Sequence, residues 1–176
     1  VSGLNTGGKY QFIWTSNGCT DTVAINVSAC PFLTKSFTPT TIQNGGLATL
    51  TFTINNSTPY SINQTNLSFY DILPSGLKIG TPNTINISGA TTGTVTAPSD
   101  SNIIRISNLS VAAGNNVTIT LNVTNANNLL NLVCGTPSNN FTNGSVNITN
   151  IIGGIINNVT DQCLLVTSTT LPVELV

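Results

Sequence analysis

The chain has 176 residues and a net charge of −1, with no His and no Met, and only 5% of its residues are charged, against roughly 25% in an average soluble domain. No basic face exists to neutralise phosphates, which argues against nucleic acid as a partner, and the commonest proton carrier of enzymes is missing. Apolar residues still make up 39%, enough for a packed core rather than a disordered chain.

Residues 1–29 read as a unit of their own. Tyr10, Phe12 and Trp14 alternate with Gln11, Ile13 and Thr15, Asn17-Gly18 follows, and Val23, Ile25 and Val27 then alternate with Thr22, Ala24 and Asn26. Two alternating runs around Asn-Gly predict a β-hairpin. A lone two-stranded hairpin is marginal in water, so Tyr10, Phe12, Trp14, Val23, Ile25 and Val27 need cover. Three sources are open: sequence upstream of Val1, the main domain of the same chain, or a neighbouring molecule that accepts the hairpin by strand addition. These six side chains are the candidate self-assembly residues. The aromatic three also suit stacking on a surface glycan, although aromatics at period two are more often core or interface.

Residues 30–167 read as the main domain. Ala48, Leu50, Phe52 and Ile54 alternate with Thr49, Thr51 and Thr53, and Val117 to Thr124 repeat the pattern. A period of two puts one set on a buried face and the hydroxyls in water. Strands are expected at Phe32–Thr38, Leu47–Asn55, Leu67–Leu73, Asn83–Ser88, Thr92–Ala97, Ile103–Ser107, Asn116–Thr124, Phe141–Thr149 and Gln162–Val166. Turns are expected at Asn44-Gly45-Gly46, Pro74-Ser75-Gly76, Ala113-Gly114-Asn115 and Asn143-Gly144. Asn125–Asn140 reads as a long loop, and Gly153-Gly154 as a bulge or hairpin tip. Short strands broken by Gly, Asn and Pro specify an all-β, immunoglobulin-like antiparallel β-sandwich with an N-terminal β-hairpin. No run of eighteen apolar residues occurs, so no membrane span is expected. Uncharged, β-branched strands lack the Lys and Glu that normally block edge pairing, so the edges are either covered or used. Val1 is not a natural start, and the chain is expected to lie inside something larger or to be a processed product.

Several motifs carry a family resemblance. Lys35-x-Phe37-x-Pro39, Gly45-Gly46, the strand from Thr51 to Asn56 and Asp71-Ile72-Leu73-Pro74-Ser75-Gly76-Leu77 resemble the immunoglobulin-like repeat of bacterial surface proteins known as domain of unknown function eleven. The resemblance is strong over residues 31–80 and weaker to about Thr167. It implies a secreted, cell-surface, often tandem domain, and no activity. Gly3-Leu4, Gly8-Lys9-Tyr10-Gln11-Phe12 and Asn17-Gly18-Cys19 resemble the last two strands of another immunoglobulin-like repeat of large surface adhesins. Residues 168–176 look like a linker, and Leu171 to Val176 resemble the segment that precedes the sorting domain of type IX secretion cargo in Bacteroidota. Asp21-Thr22-Val23 resembles a Bacteroidota O-glycan acceptor, which makes Thr22 a candidate glycosylation site. The numerous Asn-x-Ser/Thr triplets are what a chain rich in Asn and Thr yields by chance.

Four cysteines in such a setting suggest disulfides. If Thr20 to Ala29 is extended, Cys19 and Cys30 lie about 30 Å apart, beyond the roughly 7 Å that a disulfide tolerates. In an immunoglobulin-like topology the first and last strands start at the same end, so Cys30–Cys163 is the preferred pair. Cys19 and Cys134 are then left to each other or to another molecule. The alternative is Cys134–Cys163, with Cys19 bonded upstream. Zinc is not expected without His or Cys-x-x-Cys.

Little else offers chemistry. Asp71 is read as capping the turn before Pro74, and Asp100 as one carboxylate in a polar loop, a poor calcium site. No cofactor, metal or catalytic residue is expected. The reading is a non-catalytic, extracellular structural module of a surface fibre or adhesin whose partner is itself. A glycan-binding adhesive module and an accessory domain of a secreted hydrolase are the alternatives.

Overall fold

A computed structural model describes residues 7–126 and 143–168. Among the described residues, fourteen strands form in chain order. Strands β1 (Gly8–Ser16) and β2 (Cys19–Val27) make the expected hairpin, in register from Gly8↔Val27 to Ser16↔Cys19. Asn17 and Gly18 both take positive φ, 49° and 82°, the backbone that a two-residue primed turn requires.

The sandwich begins with β3 (Phe32–Thr38), β4 (Thr41–Gln43), β5 (Ala48–Asn55), β6 (Gln64–Ile72) and β7 (Leu77–Ile79). It continues with β8 (Asn86–Ser88), β9 (Thr92–Thr96), β10 (Ile103–Val111) and β11 (Asn116–Asn125). It ends with β12 (Ile148–Ile152), β13 (Ile156–Asn157) and β14 (Leu165–Thr167). One sheet runs β12-β6-β10-β9, and the other β13-β3-β5-β11-β7 with β8 also on β11. A small β14-β4 pair stands beside them. Most pairings are antiparallel, but β13 lies parallel to β3 and β14 parallel to β4.

The threonine-alternating strands build the core as expected. Strands β5 and β11 pair so that Ile54 faces Val117, Phe52 faces Ile119 and Leu50 faces Leu121, and all of these side chains are buried. The facing sheet contributes Leu67, Phe69, Ile104, Ile106 and Leu109. Phe52 and Phe69 meet edge to face across the gap with centroids 5.4 Å apart, a favoured aromatic geometry. The sheet edges are short: β7, β8 and β13 have three, three and two residues, which limits templated pairing.

Some elements differ from expectation. The segment expected as a strand over Phe141–Thr149 starts, among the described residues, with Asn143 bridged to Gln162, passes through a 3-10 turn at Ser145–Asn147, and becomes β12 only at Ile148. Asn143 is therefore not an exposed turn residue but a fully buried one. Gly153 and Gly154, both at positive φ, are no hairpin tip: β12 pairs with β6 and β13 with β3, so the glycines carry the chain from one sheet to the other. β10 runs on to Val111 through register shifts. The Asn125–Asn140 loop lies outside the described residues from 127 onward, as does the linker beyond Ser168.

Candidate functional site

Alternation on β3 turns Leu33, Lys35 and Phe37 inward. On β6 and its continuation it turns Leu67, Phe69, Asp71 and Leu73 inward. A lysine and an aspartate thus occupy core positions on facing sheets, each with a fully buried side chain. Lys35 Nζ donates to Asp71 Oδ1 at 3.0 Å and Oδ2 at 2.9 Å, and to Asn143 Oδ1. The surroundings are apolar. Phe52 is the cross-strand neighbour of Lys35 and lies with its ring centroid 5.8 Å from Nζ, while Ile104 and Ile148 flank Asp71 in its sheet.

Burial sets the electrostatics. It pushes the Lys35 amine below its ordinary value, against the pull of the Asp71 charge and hydrogen bond. It pushes the Asp71 carboxyl up, opposed by the Lys35 charge and hydrogen bond and then by Asn143. Desolvation leads in both, so the amine and the carboxyl are each driven toward the neutral form. Asn143 lies near enough to ease the Asp71 charge, yet its Nδ2 is buried and completes no hydrogen bond of good geometry. An orphaned buried donor costs about 1–3 kcal/mol. The arrangement holds a desolvated amine, a carboxyl and a carboxamide in direct contact with water excluded. The expected turn-capping role of Asp71 is corrected accordingly: its oxygens serve Lys35, and the turn is closed by Leu77 N–H donating to Pro74 O at 2.9 Å.

Asp100 faces a cation instead: Lys78 Nζ lies 2.6 Å from Oδ1, with both side chains partly exposed. Among the described residues, no three of His, Cys, Asp and Glu gather as a metal site.

The hairpin register settles which of its side chains share a face. Tyr10 lies opposite Ile25, Phe12 opposite Val23 and Gly8 opposite Val27, with Trp14 opposite Asp21. All six candidate assembly residues therefore line one face. Trp14 and Val23 are 50% and 45% exposed, the other four are half-buried, and β1 and β2 pair with no strand of the sandwich among the described residues. The other face carries Thr15 and Thr20, whose hydroxyls lie 3.1 Å apart, and exposed Thr22, with Ile13 the apolar exception. The hairpin meets the sandwich at Ala29, which donates to Tyr60 O at 3.1 Å. There Val27, Cys30, Phe32, Pro59, Tyr60 and Ile156 help line a groove of about 550 Å³.

The preferred Cys30–Cys163 bridge is not made. Cys19 and Cys30 are free, exposed thiols, whereas Cys163 is disulfide-bonded; Cys134 lies outside the described residues. Cys30 sits in the exposed connection between hairpin and sandwich, and β4, a strand absent from the sequence reading, takes β14 as its partner. That pairing sets the course of the last segment independently of where β3 begins.

Sequence reasoning missed Lys35 and Asn143. The Lys35 signal was present: Leu33-x-Lys35-x-Phe37 places a charge at an inward parity. Asn143 had no such signal, because an Asn-Gly dipeptide reads as a turn.

Two packed sheets, antiparallel ladders and short edges define an immunoglobulin-like β-sandwich domain. The chain belongs to the family described as Domain of unknown function (DUF7933), whose model matches residues 31–166. No curated protein sequence matches it. Among solved structures it is similar to the RrgA Jo.In complex, at 13% identity over 56% of this chain and 63% of that one, TM-score 0.41. It is also similar to the collagen adhesin CNA from S. aureus, at 14% identity over 61% of this chain and 44% of that one, TM-score 0.37. A third is the seventh ScaB type I cohesin from Pseudobacteroides cellulosolvens, at 13% identity over 82% of this chain and 97% of that one, TM-score 0.40. The chain thus spans less than two thirds of the first two. No helix among the described residues is long and apolar enough to cross a membrane.

Proposed function

We propose that the chain is a non-catalytic structural module of a secreted, cell-surface fibre or adhesin, built as a sandwich over residues 30–167 and a hairpin over residues 1–29 that packs on a neighbouring immunoglobulin-like unit. The observation that carries this reading is the one-sided hairpin. A two-stranded ribbon with its large apolar side chains, Ile13 excepted, on a single face is half of a sandwich core, and the sandwich in its own chain already has a buried core of its own. Strand addition from another copy and packing of consecutive repeats both satisfy that face. Surface location follows the sequence motifs and the charge-poor, Thr- and Asn-rich surface, and export by a type IX route follows the Leu171 to Val176 resemblance.

Light scattering of the purified chain across a concentration series tests the reading. Concentration-dependent association that Phe12→Ser and Val23→Ser together abolish is the expected result. A monomer at all concentrations, or association indifferent to these changes, removes packing between copies. Exposure of Trp14 keeps glycan stacking as the second reading, and a glycan array with Trp14→Ala as the control separates the two.

A further inference from the structure

We propose that Lys35 and Asn143 become joined by an intramolecular isopeptide bond, with Asp71 carrying the protons. The three groups meet in one dry chamber. Nζ touches both the carboxylate and the carboxamide oxygen of Asn143, the side chains of Lys35 and Asp71 are wholly buried, and Nδ2, the atom that would leave, lies beside Asp71 without completing a hydrogen bond of good geometry. A surface lysine could not do this chemistry, because its ammonium has no lone pair to offer. Here burial lowers the Lys35 amine and raises the Asp71 carboxyl, which favours passing the proton to Asp71 and freeing the nucleophile.

The step balances within the chain. The Nζ lone pair attacks Cγ of Asn143, the protonated Asp71 gives its proton to the departing Nδ2, the Cγ–Nδ2 bond breaks and ammonia leaves. The extra proton on Nζ returns to Asp71. The products are a secondary amide between Lys35 and Asn143, a neutral Asp71 and one ammonia, with no oxidant or co-reactant. Three features favour it. Reactants fixed at contact distance have very high effective concentration. The Phe52, Ile104 and Ile148 walls keep out the water that would hydrolyse Asn143 instead. The product also holds no ion pair, an arrangement that is costly to bury.

A competing fate of Asn143 is restrained. An Asn-Gly pair in a mobile chain closes on the following backbone nitrogen to a succinimide, with the same loss of ammonia. The Gly144 N–H instead donates to Asn147 Oδ1 at 2.9 Å, inside a structured turn. The consequence of the bond is mechanical and does not depend on how the hairpin is covered. Lys35 and Asn143 are 108 residues apart in sequence, so tension entering at one and leaving at the other runs through a covalent link, and the intervening strands are spared.

The test is the mass of the folded, purified chain under reducing conditions. The expected value is lower than that of the unmodified chain by one ammonia, about 17 Da, with fragmentation finding a branched peptide that joins Lys35 to Asn143. An unmodified mass after prolonged incubation overturns the proposal, and so does a deficit located in a linear succinimide at Asn143-Gly144. Asp71→Ala, checked for folding by circular dichroism, is expected to form the bond at least about a hundredfold more slowly. Formation at the native rate in that variant overturns the role given to Asp71.

Discussion

At the scale of single residues, the molecule is unusual in where it spends its few charges. Lys35 and Asp71 belong to a chain with 4 basic and 5 acidic side chains, yet they are placed where charge is most costly. Removing one partner of such a pair leaves the other stranded, at about 3–5 kcal/mol. Lys35→Met is therefore expected to be destabilised by that order at neutral pH. The pH dependence follows from the direction of the shift. The Asp71 carboxyl is already raised above 3.8 by burial, and without the Lys35 charge it rises further. A raised folded value means that stability is fully present below the unfolded value and is lost as pH climbs through the folded one. Denaturant unfolding of Lys35→Met is thus expected to show the protein more stable at pH 4.5 than at pH 8, and an equal or opposite trend would contradict the assignment.

At the scale of elements, the two halves of the chain are built to different standards. Strands β5 and β11 lie against a second sheet, with Leu50 and Leu121 fully buried. Leu50→Ala is expected to cost about 2–5 kcal/mol, read as a lower unfolding midpoint. The hairpin has correct turn chemistry and a full ladder, but its apolar face has no second layer among the described strands. Trp14→Ser is therefore expected to leave the sandwich midpoint within about 0.5 kcal/mol while reducing association at high concentration. Amide exchange is the independent check: β1 and β2 should exchange much faster than β5 and β11 in dilute solution, and slow down as the protein is concentrated.

At the scale of the whole molecule, covalent links decide how the domain responds to force. Two thiols, Cys19 and Cys30, are free and exposed, so alkylation of the native, unreduced chain should label those two positions. Labelling at neither would mean that both are engaged between molecules. With Cys30 free, the alternative pairing read from the sequence is Cys134–Cys163, and peptide mapping tests it directly. Closing a loop of roughly 30 residues is worth about 3–4 kcal/mol in the chain-entropy model, and reduction should lower the unfolding midpoint accordingly. Together with the proposed Lys35–Asn143 link, such a bridge would tie the late segments of the chain to its early ones.

What the sequence determined by itself was periodic. Alternation of Thr with Leu, Ile, Val and Phe names the buried face of β5 and β11, and Asn17-Gly18 names the hairpin, because a two-residue period and a positive-φ turn are local properties of the backbone. The parity of Lys35 on β3 was equally legible, though its meaning was not, since an inward lysine says nothing until a partner is known. Tertiary structure alone decided the rest. It set the parallel returns of β13 and β14, the burial of an Asn-Gly that locally resembles a turn, the free state of Cys30, and the meeting of Lys35, Asp71 and Asn143. Each of these depends on which strands cross between the two sheets, and a crossing brings together residues that no local pattern connects.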